Sequence, residues 1–510
     1  MHSPPSPGAT GVSTHLEVSM RHRFSLVAAG AVLLAACSAP APVPSSTEPN
    51  DDAAVGRVTA GLRSQLTVKG APAVTYTLAE RMAHHKVPGV SIAVVDNGRI
   101  VWARGYGLKA LGTADSVDAN TLFQAASISK PVAASGMLRL VEEGKLALDT
   151  PVNDYLKSWK LPDNPFTAKE KVTLRRIASH NAGLTVHGFP GYAATDSVPT
   201  VPQLLDGTKP ANTAAVRVDT FPGAISRYSG GGITIEQLVM TDVTGEPFPA
   251  LLKRLVLDPV GMTNSGYDQP LSAARAPQAA AGYRPDGKMV EGRWHTYPEM
   301  AAAGLWTTPS DLMKWSIEIA AARAGTSTKV LSQKMATEML TAQKAAFGLG
   351  PALGGKGAGF NFGHGGANEG YRAQMTYFPE LGKGAAVMTN SDNGSALAQE
   401  ILFAIAAEYK WADFGPREIA PIAVDSTALQ AFVGSFAVDA PFKVRASVVR
   451  VGGKLYLEEP QFIPRTEVLF LGPNKAIALE SGMEFSFGTD AKGSVDRIEI
   501  PGVPPLKRSR

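Results

Sequence analysis

The chain has 510 residues, 44% of them apolar and 18% charged, with a formal net charge of +4 and a single cysteine. That length supports two or three domains with sizeable cores, and the composition is ordinary for a soluble globular protein. Its Lys and Arg residues are scattered rather than gathered into a stripe, which argues against nucleic acid as a partner, and one cysteine leaves no disulfide within the chain.

Met20-Arg21-His22-Arg23-Phe24 gives a basic start to an apolar run, Ser25–Ala36, with small residues before Cys37. About 14 apolar residues fall short of the roughly 20 that span a bilayer. The span 1–37 is therefore predicted as a secretory signal region, which Met20 opens better than Met1 does. Leu34-Ala35-Ala36-Cys37 resembles the lipobox of bacterial lipoproteins. The resemblance implies export, lipidation of Cys37 and membrane contact through that lipid anchor, and Ser38 after it resembles the outer-membrane default on the periplasmic face.

From Ser38 to about Asp52 the residues are mainly Ala, Pro, Ser and Glu, a composition that cannot bury a core. The span 38–72 is predicted as a disordered tether, with the folded chain starting at residue 73. Val74, Leu78 and Met82, four apart and closed by Val87-Pro88-Gly89, predict a first helix. Val90–Val95 and Arg99–Gly105 flank Asp96-Asn97-Gly98, whose Asn-Gly pair suits the positive-φ positions of a hairpin turn. Val132, Gly136, Met137, Leu140 and Val141 follow Ser127 at helical spacing and end at Gly144. Further helical patterns fall at Ile233–Val243, Phe248–Leu257 and Pro309–Ala322, and strand patterns return at Arg372–Phe378 and Gly384–Thr389.

Strands from both ends of one domain around a helical middle predict an α+β fold over residues 73–412: an antiparallel β-sheet flanked by helices, with an inserted all-helical subdomain. A Pro-containing linker at 413–425 follows. Short β-rich runs at Val444–Val451, Leu455–Leu457, Val468–Leu471, Ala476–Leu479 and Phe485–Phe487 then predict a small all-β domain over 426–510.

Ser127-Ile128-Ser129-Lys130 is the only Ser-x-x-Lys in the chain and lies where an extended stretch gives way to a helix. Residues three apart on a helix share a face, so the Lys130 amine reaches the Ser127 hydroxyl. A hydroxyl attacks a carbonyl once a neighbouring base takes its proton, and a lysine does so when desolvation and nearby positive charge populate its free amine. Ser127 is the candidate nucleophile.

Two further segments follow it: Arg227-Tyr228-Ser229-Gly230-Gly231-Gly232, and Phe362-Gly363-His364-Gly365-Gly366-Ala367-Asn368. The order Ser-x-x-Lys, Tyr-Ser-x, His-x-Gly resembles the penicillin-recognising serine hydrolases, in particular class C β-lactamases, D-Ala-D-Ala carboxypeptidases and related esterases. The resemblance extends over roughly Val74–Trp411 and takes in Val87–Val94, Ser179–Leu184 and Ala302–Leu312. It implies a β-lactamase/transpeptidase-like fold and an acyl-enzyme on Ser127. Lys130 would accept the serine's proton or hold the network that does, and Tyr228, its pKa lowered beside the lysine ammonium, would act as base for Ser127 and then as acid for the leaving group. His364 would lie on an edge strand facing the serine, where Gly365 and Gly366 let substrate approach the backbone. The resemblance further implies an oxyanion hole from the backbone N–H groups of Ser127 and Ala367. The C-terminal domain resembles the small β-barrel-like modules appended to many members of this family.

Gly230 stands where β-lactam enzymes usually carry Asn, and His364 where lactamases carry lysine; an unperturbed histidine is mostly neutral at pH 7. The expectation is therefore a broad serine hydrolase of esters, amides or peptides, acting on a small-molecule or peptide substrate. The alternatives are a β-lactamase or D-Ala-D-Ala carboxypeptidase proper, and a catalytically idle protein that binds cell wall or a partner. No cofactor and no metal are expected. Gly350–Gly357 nearly matches a P-loop, but glycine replaces its final Ser or Thr. His84-His85 lacks nearby Asp, Glu or Cys in sequence and is read as helix surface.

Overall fold

Among the described residues a helix already opens at Asp52, inside the span 38–72 predicted as a tether. The computed structural model describes residues 51–72, 74–438, 444–459, 463–501 and 503–509; the signal region with Cys37, and the tether up to residue 50, lie outside them. Helix α1 (Asp52–Ala60) starts on an Asp51 cap, and strand β1 (Leu66–Val68) follows it. Val58, Leu62 and Leu66 are buried, at 1%, 0% and 6% exposure. Val58 lies on α1, Leu62 just past its end and Leu66 on β1, and these few apolar residues are masked when composition is averaged over the whole span.

Helix α2 (Leu78–His84) opens on a reciprocal capping box between Thr77 and Glu80. His84 lies at its surface as expected, but His85 is 4% exposed and its Nε2 is 3.1 Å from Glu400. Arg81 joins them, donating to Glu400 at 2.7 and 2.8 Å and to Glu480 at 2.8 Å. The carboxylates that the sequence did not place near this pair come from more than 300 residues further along.

Strands β2 (Gly89–Asp96) and β3 (Arg99–Gly107) form the predicted hairpin, with Asn97 and Gly98 at φ 50° and 71°. After β4 (Phe123–Gln124) the chain makes a single 3-10 turn, Ala126–Ile128, and enters α3 (Ser129–Glu142). The helical middle follows and includes α4 (Gly230–Thr244) and α5 (Met300–Ala303). Strand β5 (Trp306–Thr307) returns beside β4, and α6 (Pro309–Arg323) follows. Then β6 (Ala352–Gly354), β7 (Asn361–Asn368), β8 (Tyr371–Phe378) and β9 (Lys383–Thr389) complete an antiparallel six-stranded sheet in the order β3-β2-β9-β8-β7-β6. Helix α7 (Gly394–Glu408) closes the domain.

Both sheet faces are buried, so β2 reads as a nearly continuous apolar run. Ala93 and Val95 pack with Leu312, Trp315 and Ile319 of α6, whereas Ile92 and Val94 pack with Leu397, Ile401 and Ile405 of α7 and with Val58. The α+β architecture with an inserted helical subdomain is the one expected.

Strand β10 (Arg417–Ile419), inside the predicted linker, pairs in parallel with β1. Eight further strands form a closed antiparallel barrel: β11 (Gly434–Val438), β12 (Val444–Val451), β13 (Lys454–Glu459), β14 (Ile463–Phe470), β15 (Lys475–Ala478), β16 (Glu484–Thr489), β17 (Val495–Glu499) and β18 (Leu506–Arg508). Phe432, Phe436, Phe470, Phe485 and Phe487 fill its interior. Leu66 and Ile419 meet Ile477 of the barrel in a small apolar cluster.

Candidate active site

Ser127 lies at the point where the backbone changes direction. Ala126 before it takes a left-handed φ of 49°, an uncommon conformation for a residue with a Cβ. Its surroundings hold it there: Ala125 N–H donates to Leu305 O at 2.8 Å, Leu305 N–H donates to Ser129 Oγ at 3.0 Å, and Ser129 Oγ donates to Ala126 O at 2.5 Å. The next turn places Ser127 half-buried at the head of α3.

Lys130, one turn on, is 3% exposed and donates to Ser127 Oγ at 2.9 Å and to Ala302 O at 2.7 Å. Burial pushes its pKa down from 10.5 to about 7, so near neutrality about half of the Lys130 side chains are free amines. Ala302 is carried by α5, whose position is fixed from α4: Gln237 Nε2 donates to Pro298 O at 3.0 Å while its Oε1 accepts from Ala301 N–H at 2.9 Å.

Tyr228 immediately precedes α4 and its Ser229 cap. The Lys130 ammonium lies 4.9 Å from the centre of its ring. The lowered pKa expected for Tyr228 is not found. Burial dominates and pushes the phenol up to about 12, and a hydrogen bond with Ser127 offsets only part of that rise. The group poised to lose a proton near neutrality is Lys130.

Strand β7 runs alongside the nucleophile turn. It pairs with β8 throughout, but with β6 only as far as Gly363, so from His364 to Asn368 one edge has no strand partner among the described residues. Gly366 is required for the close approach: a Cβ there would lie 2.2 Å from Ala125 O. Ala367, next along, is exposed. His364 is buried, and its Nδ1 lies 2.6 Å from Gly365 O. A carbonyl only accepts, so Nδ1 carries the hydrogen and Nε2 is left as an acceptor. Burial first, and the charge of Lys130 second, push this imidazole down to about pH 4, which keeps it neutral at pH 7.

The structure therefore brings Ser127, Lys130, Tyr228, His364, Gly366 and Ala367 to one place. It also adds residues to which the sequence assigned no role. His180 Nδ1 accepts from Ser229 N–H at 3.3 Å, and its ring centroid lies 4.2 Å from that of Tyr228. His187 and Phe347 stand beside the same tyrosine. His180 belongs to a quoted motif segment, whereas His187 and Phe347 sit in loops with no pattern to read.

A family model described as Beta-lactamase matches residues 74–410. The chain belongs to the β-lactamase family. Among curated relatives of this family member, the unguisins hydrolase of Aspergillus violaceofuscus is 29% identical over 244 residues, 45% of this chain and 41% of the relative. The esterase EstB of Burkholderia gladioli is 28% identical over 200 residues, 37% of this chain and 49% of the relative. The chain thus spans less than half the length of either curated relative. A solved structure of an octameric penicillin-binding protein homologue from Pyrococcus abyssi shares the fold, with a TM-score of 0.57 at 23% identity over 84% of this chain and 98% of that one.

Proposed function

We propose that the protein is a serine hydrolase that forms an acyl-enzyme on Ser127. The observation carrying this reading is the 2.9 Å contact between the Ser127 hydroxyl and a buried Lys130 whose pKa is about 7. In its free-amine form Lys130 takes the Ser127 proton as Oγ bonds to the substrate carbonyl carbon. The backbone N–H groups of Ser127 and Ala367 receive the developing oxyanion, and donors of this kind are each worth about 3 kcal/mol. When the bond to the leaving group breaks, the proton passes to that group, either directly from Lys130 or through the Tyr228 hydroxyl, which at a pKa of about 12 stays protonated between steps. Water then releases the acyl group by the same route in reverse.

Esters and amides fit this site better than β-lactams do. Gly230 supplies no side-chain amide for an acylamido group, and a neutral His364 supplies no fixed cation for a carboxylate. The names of the relatives, a hydrolase and an esterase, agree with that class. Incubation with a fluorophosphonate followed by mass mapping tests the proposal. A single adduct on Ser127, absent from Ser127→Ala, is expected; equal labelling of both proteins overturns it. The lipid anchor at Cys37 remains a proposal from sequence, tested by the mass of the N-terminal peptide from membrane fractions of wild type and Cys37→Ser.

A further inference from the structure

More aromatic rings gather around Tyr228 than acyl transfer requires. Tyr228 packs against two imidazoles, with the His180 and His187 ring centroids 4.2 and 4.8 Å from its own. Phe347 continues this wall, 4.9 Å from His180 and 6.2 Å from Tyr228. His187 is exposed and Tyr228 and Phe347 are half-buried, so part of each ring is open to an incoming molecule. They come from separate stretches of chain, so their grouping is a product of the fold.

The imidazoles around Tyr228 are held neutral. His180, His187 and His364 are each held below the ordinary imidazole pKa, by burial first and by the neighbouring Lys130 second. A substrate carboxylate placed against them would lose hydration without gaining an ion pair, whereas a flat neutral ring would gain stacking contact.

The part these rings play follows from the path of the proton. The group that returns a proton to the leaving atom must face that atom, and Lys130 and Tyr228 together hold the Ser127 hydroxyl. The rings packed on Tyr228 therefore flank the leaving group, and His364 of β7 adjoins them, its ring centroid 6.0 Å from that of Tyr228 and 6.5 Å from that of Phe347. We propose that His187, Tyr228 and Phe347 form a subsite for an uncharged aromatic leaving group, such as a benzylic alcohol or an arylalkylamine. This rests on the acyl-enzyme reading above. In the step, the Ser127 Oγ–carbonyl carbon bond forms, the bond from that carbon to the aromatic alcohol's oxygen breaks, and the oxygen takes the proton that Lys130 removed from Ser127.

Three acetate esters of primary alcohols test it: benzyl acetate, ethyl acetate and 2-carboxyethyl acetate, compared by kcat/KM. Benzyl acetate is expected to exceed ethyl acetate by about tenfold, with 2-carboxyethyl acetate slowest. Phe347→Ala and Phe347→Leu should each lower the benzyl-to-ethyl ratio at least about threefold. The leucine variant keeps apolar volume and removes only the ring. Turnover of all three esters with no benzyl preference, a preference for the carboxylate, or a ratio unchanged in both variants overturns the subsite and leaves the hydrolase reading standing. No turnover of any ester, together with no fluorophosphonate adduct on Ser127, overturns both.

Discussion

Replacing Lys130 by methionine should make the protein more stable at pH 7 and inactive. Lys130 has a pKa of about 7 in the fold against 10.5 as its ordinary value. The unfolded chain therefore holds the proton more tightly by about 3.5 pH units (10.5 minus 7), or about 5 kcal/mol at 1.36 kcal/mol per unit. Between pH 7 and 10.5 the unfolded state binds more protons than the folded one, so stability rises with pH across that window. The penalty is full below pH 7 and gone above 10.5. Methionine fills the same slot without a charge, but it leaves Ser127 Oγ and Ala302 O without the donor that Lys130 supplied, at a cost of about 1–3 kcal/mol. The variant should be about 2 kcal/mol more stable than wild type at pH 7 and less stable by a similar amount at pH 10.5. Urea titrations followed by tryptophan fluorescence read this directly, because Trp102, Trp159, Trp294, Trp306, Trp315 and Trp411 all lie in the catalytic domain. A stability difference that stays constant between pH 7 and 10.5 would refute the argument that Lys130 is desolvated.

Fluorophosphonate labelling of Ser127 should fall about tenfold per pH unit below pH 7, as Lys130 becomes protonated, and level off above it. Tyr228→Phe should keep that limb near pH 7 while lowering ester turnover about 100-fold; a limb that vanishes in this variant would make Tyr228 the base instead. In Gly366→Ala the new methyl meets Ala125 O at 2.2 Å, so β7 must move off the nucleophile turn; kcat should drop about 100-fold with the circular dichroism spectrum unchanged. Glu400→Gln removes one of the two carboxylates that pair with buried Arg81, Glu480 being the other, and should destabilise the fold by about 1–3 kcal/mol, measured by the same urea titration.

The parts legible in the sequence were those fixed by short-range rules. The Asn97-Gly98 turn dictates its hairpin, the 3.6-residue period marks α3, α4 and α6, and Ser127 and Lys130 meet because one helical turn separates them. In the barrel, β12 was readable because Val444–Val451 is long and β-branched, whereas β11, β17 and β18 are short and carry glycine, charge or proline at their ends. The pKa of Tyr228 was misread because a nearby ammonium is visible in sequence but burial is not. His85 was misread for the same reason, since its partner Glu400 arrives from α7. The ring wall was invisible because His187 and Phe347 reach Tyr228 only through the folded path of two loops.

The family match opens at residue 74, yet β1 and α1 precede it and are built into the molecule. β1 forms a ladder with the β10 connector, and Leu66 touches Ile477 on the barrel, so this segment acts as a clasp between the catalytic domain and the barrel. Trimming the protein to the boundary that homology suggests would open this clasp and leave the barrel held by its connector and by contacts such as that of Arg81 with Glu480.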